Sequence, residues 1–250
     1  ELDVCSSDLA ASIGRNSLPT LPHPRVVVIS AGDDLIEPGQ LIEDLEDEYE
    51  SNSWMLTTSV KEAGATGFRV HAIPENHHDL KNIVEDQLVR ADLIVISGER
   101  HDDSFDLITK ALSPLGEIKV VDLDLENAGR FNFGAIGPDK TPVITLPGDP
   151  IFAYIAMQLF VRPMIRTMLG AREIYCPSVK ARLEKDFQTG TTGRKYLLGQ
   201  LNEDNSSVNI FTEQEDFVSL ALANCLVSVN EGDSLKAGDS LTSVILPRIK

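Results

Sequence analysis

Three short stretches carry the residues best suited to chemistry: Ser30-Ala31-Gly32-Asp33-Asp34, Ser97-Gly98 and Leu146-Pro147-Gly148-Asp149-Pro150. Each ends a run of apolar residues, and each places a glycine where that run stops. Glycine permits a tight turn and lets backbone approach a small ligand closely. The third stretch ends in a proline, a residue suited to the first turn of a helix. A helix start aims unpaired N–H groups and a partial positive charge at whatever lies above it, so strand, turn and helix together can hold an anion. In open parallel sheets, ligands bind in the crevice outside the carboxyl ends of the strands. Ordinary turn chemistry explains any one glycine of this kind. All three together predict a ligand crevice.

The elements that must position these stretches alternate in type. Continuous apolar runs at 25–30, 92–97 and 142–146 predict strands covered on both faces. Further strands are predicted over 68–73, 117–121 and 131–136, and helices over 51–62, 79–90, 103–112 and 150–169. Ser51-Asn52-Ser53 offers N-cap chemistry for the first helix, and Gly170 stops the last. Residues 35–50 read as acidic and irregular, with Glu43 to Glu48 a solvated acidic face. The region 25–172 is therefore expected to be a three-layer α/β domain with a mostly parallel sheet. From 178 to 248 the pattern changes to short strands at 179–183, 194–199, 207–211, 226–229 and 240–246, separated by Gly, Asn and Asp turns. That spacing predicts a small antiparallel β-barrel or sandwich. Residues 1–24 precede both units. The first nine lack a signal-peptide layout and read as a scar of sequence assembly, which implies that the natural protein begins further upstream. A connector follows, with Pro19, Pro22 and Pro24 close together.

Composition narrows the function. The chain has 250 residues, 42% hydrophobic, with 39 acidic against 22 basic residues and a formal net charge of -17. Such a balance excludes nucleic acid as the main partner and opposes docking on an anionic membrane. No apolar run approaches the roughly 20 residues of a membrane span. Cys5, Cys176 and Cys225 are too few and scattered for a disulfide framework, so they read as reduced cytoplasmic thiols. His77-His78 reads as a solvated turn, and His101 beside Asp102 and Asp103 as a polar loop. Trp54, at a helix start, reads as core or as a cleft contact.

At this level of detail a resemblance appears. Ser30-Ala31-Gly32-Asp33-Asp34-Leu35 resembles the S-T-G-D-E-L of the molybdopterin molybdenumtransferase family, which includes MoeA and the gephyrin E-domain. Tyr49-Glu50-Ser51-Asn52 is similar to its Y-D-[ST]-N. Ser97-Gly98 begins its S-G-G-x-S-x-G-x-x-D, whose last position is Asp106, and Leu146 to Pro150 is similar to L-P-G-N-P. Residues 178–248 resemble the family's C-terminal β-barrel, while its two N-terminal domains have no counterpart here. The resemblance implies molybdate insertion into adenylylated molybdopterin, with release of AMP. It places Asp34 and Asp106 at a Mg²⁺ ion, with Glu50 as a further catalytic carboxylate. Gly32, Asp33, Asn52, Ser97, Gly98, Arg130, Pro147, Gly148 and Asp149 would line the molybdopterin site. It also implies a cytoplasmic homodimer.

The departures from the family pattern point a second way. Glu126-Asn127-Ala128-Gly129-Arg130 stands where the family has K-P-G-K-P, and Glu99 to Asp103 replaces G-V-S-V-G. Asp149 and Phe152 replace Asn and Ser. A lysine-to-glutamate exchange beside a bound dianion changes the interaction by two charges, each pair worth about 4 kcal/mol at 4 Å and an effective dielectric near 20. Two readings therefore stand: a divergent molybdenumtransferase, or a gephyrin-like scaffold that has lost catalysis and binds a partner's peptide.

Overall fold

The structure is a computed structural model. It describes residues 4–31, 35–42, 48–72, 76–98, 103–122, 130–188, 194–212, 214, 217–230 and 232–247. Helix α1 (Val4–Ser12) precedes β1 (Arg25–Ala31). A miniature parallel pair follows, β2 (Leu35–Ile36) with β3 (Glu48–Tyr49). Next come α2 (Asn52–Glu62), β4 (Thr66–Ala72), α3 (His77–Leu88), β5 (Leu93–Ser97) and α4 (Asp103–Leu112). Strands β6 (Gly116–Asp122), β7 (Arg130–Ile136) and β8 (Thr141–Leu146) complete the sheet. Helix α5 (Pro150–Ala156), a π-helical turn (Met157–Val161) and α6 (Arg162–Met168) close the α/β region.

The sheet runs β4-β1-β5-β8-β7-β6. Its first four strands are parallel, and β7 and β6 are antiparallel to their neighbours. Each apolar run is continuous because it has two faces to bury. Val26, Val28, Leu93, Val95 and Ile144 pack on Leu56 and Val60 of α2 and on Met157 and Ile165 beyond α5. Val27, Ile29, Ile94, Ile96 and Val143 pack on Leu80 and Val84 of α3 and on Ile108 and Leu112 of α4. The three-layer α/β expectation holds.

The second unit comprises β9 (Ser178–Leu183), β10 (Phe187–Gln188), β11 (Lys195–Leu201), β12 (Ser207–Ile210), α7 (Phe217–Leu222), β13 (Cys225–Val229), β14 (Ser234–Leu235) and β15 (Ser240–Ile245). Five of these strands close a barrel in the order β11-β12-β9-β15-β13. One expectation needs correction: β12 pairs with β9 in parallel, so the barrel is not wholly antiparallel. The reason is geometric. Strand direction cannot alternate around a closed ring with an odd number of members, so at least one pair must run parallel. Among the described residues, no helix is long and apolar enough to cross a membrane.

The β6–β7 ribbon depends on glycine. A Cβ on Gly134 would overlap the Glu117 carbonyl oxygen across the ladder and stand 3.0 Å from the Ile118 Cα. These nearest atoms are all backbone of β6, so no flexible side chain can yield. Gly134→Ala is expected to lower stability by roughly 1–3 kcal/mol. Urea unfolding should show a lower midpoint with an unchanged slope.

Candidate functional site

The site is built where α2 begins. Ser51 is the N-cap residue, but its side chain makes no capping bond. The carboxylate of Glu50 does that work from one position earlier: Oε1 accepts from the Ser53 backbone N–H at 2.7 Å. Asn52 is thereby freed to turn toward the sheet. Its Nδ2 donates to the Ser97 hydroxyl at 2.9 Å and to the Gly148 carbonyl at 2.6 Å. A carbonyl can only accept, so the amide orientation is fixed by Gly148. One side chain thus ties the start of α2 to the end of β5 and to the turn between β8 and α5.

Two polar atoms at this junction have no partner among the described residues: Asn52 Oδ1 and the Ser30 hydroxyl. Both residues are more than nine-tenths buried, with Asn52 7% and Ser30 0% exposed. Ser30 stands beside Ser97 in the β1–β5 register and shares the sheet face of Val26 and Val28. Buried polar groups are normally satisfied, so unused ones at a strand edge mark a place for water or ligand.

The third strand end is more committed. Asp149 caps α5, its Oδ1 accepting from Ile151 N–H at 2.9 Å and Phe152 N–H at 3.2 Å. These are amides that an anion at the helix start would otherwise use. The helix beyond is not uniform, since Met157–Val161 widens into a π turn. Pro163, without an N–H for the carbonyl four residues back, is the sequence signal that could have revealed this.

The other expected site residues are spread more widely. Gly98 is buried directly after β5, and Pro147 and Gly148 are half-buried after β8. The Ser97 hydroxyl lies 3.4 Å from the carbonyls of both Gly98 and Pro147. Asp106 is exposed on α4, and Arg130 is exposed at the start of β7, opposite Asp122 in the ladder. Gly32, Asp33 and Asp34 lie outside the described residues, as do His101 and all of the two altered loops except Asp103 and Arg130. Among the described residues, no three Asp, Glu, His or Cys side chains converge on a metal position.

Several site-shaping residues were not anticipated. Arg69 on β4 reaches across to α2: Nε donates to the Ser53 hydroxyl at 2.6 Å, and Nη2 donates to Glu37 at 2.5 Å and to Glu50 at 3.2 Å. Burial works against the Arg69 charge, but its bonds and attraction to Glu37 and Glu50 prevail and hold its pKa above the ordinary value. Its guanidinium also covers the half-exposed Trp54 ring, 4.3 Å from the centroid. The backbone N–H of fully buried Asn132 donates to the Thr145 hydroxyl oxygen at 2.7 Å, and its Nδ2 donates to the Thr109 hydroxyl at 2.9 Å, joining β7, β8 and α4. Its signal was visible as a polar residue between two phenylalanines of a strand.

Comparison with known proteins bears on the family and the fold. Residues 27–167 match the family described as "probable molybdopterin binding domain". Molybdopterin molybdenumtransferase 1 of Mycobacterium tuberculosis is 32% identical over 92% of the chain and 56% of that protein. Molybdopterin molybdenumtransferase 2 of the same species is 29% identical over 80% of the chain and 50% of that protein. A crystal structure of a MoeA molybdopterin biosynthesis protein from Pyrococcus horikoshii superposes with a TM-score of 0.82 at 25% identity, covering 98% of this chain and 60% of that one. The chain thus spans about half the length of the curated relatives it matches.

Proposed function

The chain belongs to the molybdopterin-binding domain family, with MoeA-type proteins among its relatives, and on that premise we propose that its crevice binds adenylylated molybdopterin for molybdate insertion. The observation that carries this reading is the Asn52 junction, which joins two strand ends and leaves the Asn52 carbonyl and the Ser30 hydroxyl unused. The backbone at Gly98 and Gly148 and the Asn52 amide would line the ligand, and Arg130 would supply positive charge. Asp34 and Asp106 are the proposed acids at Mg²⁺. Mg²⁺ is commonly held by one or two carboxylates with substrate phosphates. A cytoplasmic homodimer is part of the same proposal.

One observation favours the scaffold reading: Asp149 already occupies the first amides of α5 with its own negative charge. Calorimetric titration with molybdopterin, with and without Mg²⁺, separates the two. Saturable heat that grows with Mg²⁺ is expected. Silence at millimolar ligand would reject the molybdopterin site for this chain and leave the peptide scaffold, for which half-exposed Trp54 and Phe217 are the proposed contacts.

A further inference from the structure

The first turn of α2 is held from two sides. Asn52 anchors it to Ser97 and Gly148. The next residue, Ser53, is held in a closed ring of charge-assisted bonds. Its hydroxyl donates to Glu50 Oε2 at 2.5 Å and accepts from Arg69 Nε at 2.6 Å, while Arg69 Nη2 reaches the same Glu50 oxygen at 3.2 Å. The Glu50 side chain is fully shielded from solvent, whereas Arg69 retains 21% exposure. Arg69 is the cation paired with Glu50 among the described residues.

Arg69 also fixes the chain that leads into this turn. It pairs with Glu37, just beyond β2, and the Glu50 N–H donates to the Ile36 carbonyl at 2.8 Å. Its planar fork is what allows contact with Glu37, Glu50 and Ser53 together, which a lysine point charge cannot reproduce.

The geometry points to Arg69 as a positioning residue for the crevice: acting through Glu50 and Ser53, it seats the first turn of α2 so that the Asn52 amide stays on Ser97 and Gly148. Glu50 then serves the site as the buried counter-charge of this clamp. The inference deepens the proposed molybdopterin site, and its ligand arm rests on that reading. The energetic reason is the asymmetry of buried ion pairs. Removing one partner leaves the other charge buried and uncompensated, which costs far more than removing both. With Arg69 gone, the buried Glu50 charge is left uncompensated and is drawn outward toward water, which releases Ser53 and tilts Asn52.

The test uses Arg69→Met, Glu50→Gln and the double variant in the full chain. Hydrogen exchange, followed by mass spectrometry, is read in two segments, 52–56 and 146–151. Arg69→Met is expected to speed exchange in both, although Arg69 touches only the first. Adding Glu50→Gln is expected to restore protection in both, because it removes the stranded charge. Molybdopterin affinity should fall roughly ten- to hundredfold in Arg69→Met, the span of a lost charge-assisted bond, and recover partly in the double variant. Trp54, the single tryptophan of the chain, reports whether the guanidinium has left its ring. Normal protection at 146–151 in Arg69→Met, with altered Trp54 emission, would overturn the inference. So would a loss that Glu50→Gln leaves unrelieved. If wild-type protein binds no molybdopterin, the functional reading fails, and the exchange arm still decides the role of Arg69.

Discussion

Asn52→Leu is expected to abolish measurable molybdopterin binding while leaving a folded protein. Leucine matches asparagine in size but supplies no donor. The Ser97 hydroxyl and the Gly148 carbonyl lose the N–H groups that reach them at 2.9 and 2.6 Å. A buried acceptor left without a donor costs about 1–3 kcal/mol. Part of that is offset, because the substitution also removes Oδ1, which is buried without a partner. The stability loss should therefore stay near 1–2 kcal/mol by the same principle, readable as a lower urea midpoint. The effect on binding should be larger. The strand end at Ser97 and the turn at Gly148 are both tied to the start of α2 by this amide, so α2 would be free to part from them. Asn52→Asp should be worse than leucine. It keeps the shape, sets a carboxylate oxygen against the Gly148 carbonyl, and places a second negative charge two residues from buried Glu50. Calorimetry on both variants checks this. Near-normal affinity in Asn52→Asp would show that the ligand does not depend on the junction.

Much of the fold was legible because its signals were local. Continuous runs such as Val26 to Ile29 announce strands buried on two faces, and the structure covers those residues with α2 on one side and α3 on the other. The five barrel strands were visible as short runs between turn residues. Their one parallel pairing was not, since it follows from closing an odd ring and no individual strand encodes it. The π turn at Met157–Val161 escaped because its signal, Pro163, lies just beyond it and the flanking residues on both sides are helical.

The site was legible in outline and opaque in its supports. Asn52, Ser97 and Gly148 stood out by motif, and the structure brings them into contact across separations of 45 and 96 residues. Arg69 did not stand out. It sits in a run, Phe68-Arg69-Val70-His71, whose alternation announces a strand and nothing about what its side chains meet. Only the tertiary fold shows that Arg69 meets the start of α2 and its buried carboxylate. Capping of α2 was misplaced for a related reason. Ser51 has the residue type of a cap, but the nearby Glu50 is locked by Arg69 in a pose that reaches the Ser53 N–H first.

Leu198→Ala should produce the largest stability loss, about 2–5 kcal/mol for a fully buried leucine. The neighbouring Leu197 belongs to the barrel's own core, but Leu198 points the other way along β11. There it meets Ile151 and Ile155 of α5, with Leu226 and Leu246 beside it. The cavity would therefore open between the barrel and the α/β unit. Each unit retains an apolar core of its own. Denaturant unfolding is expected to change from one transition to two, the earlier one reporting the barrel. Leu197→Ala should instead lower the barrel's stability while leaving its seat on α5 intact. The consequence for the site follows from where α5 starts. Ile151 packs against Leu198 from one side, and its N–H is held by Asp149 on the other, one residue beyond Gly148. Loosening the barrel should therefore speed hydrogen exchange at 149–152 and weaken ligand binding, although Leu198 lies outside the crevice. A single transition with unchanged exchange at the turn would show that the barrel is carried passively. A split transition with faster exchange would show that it braces the edge of the sheet on which the site is built.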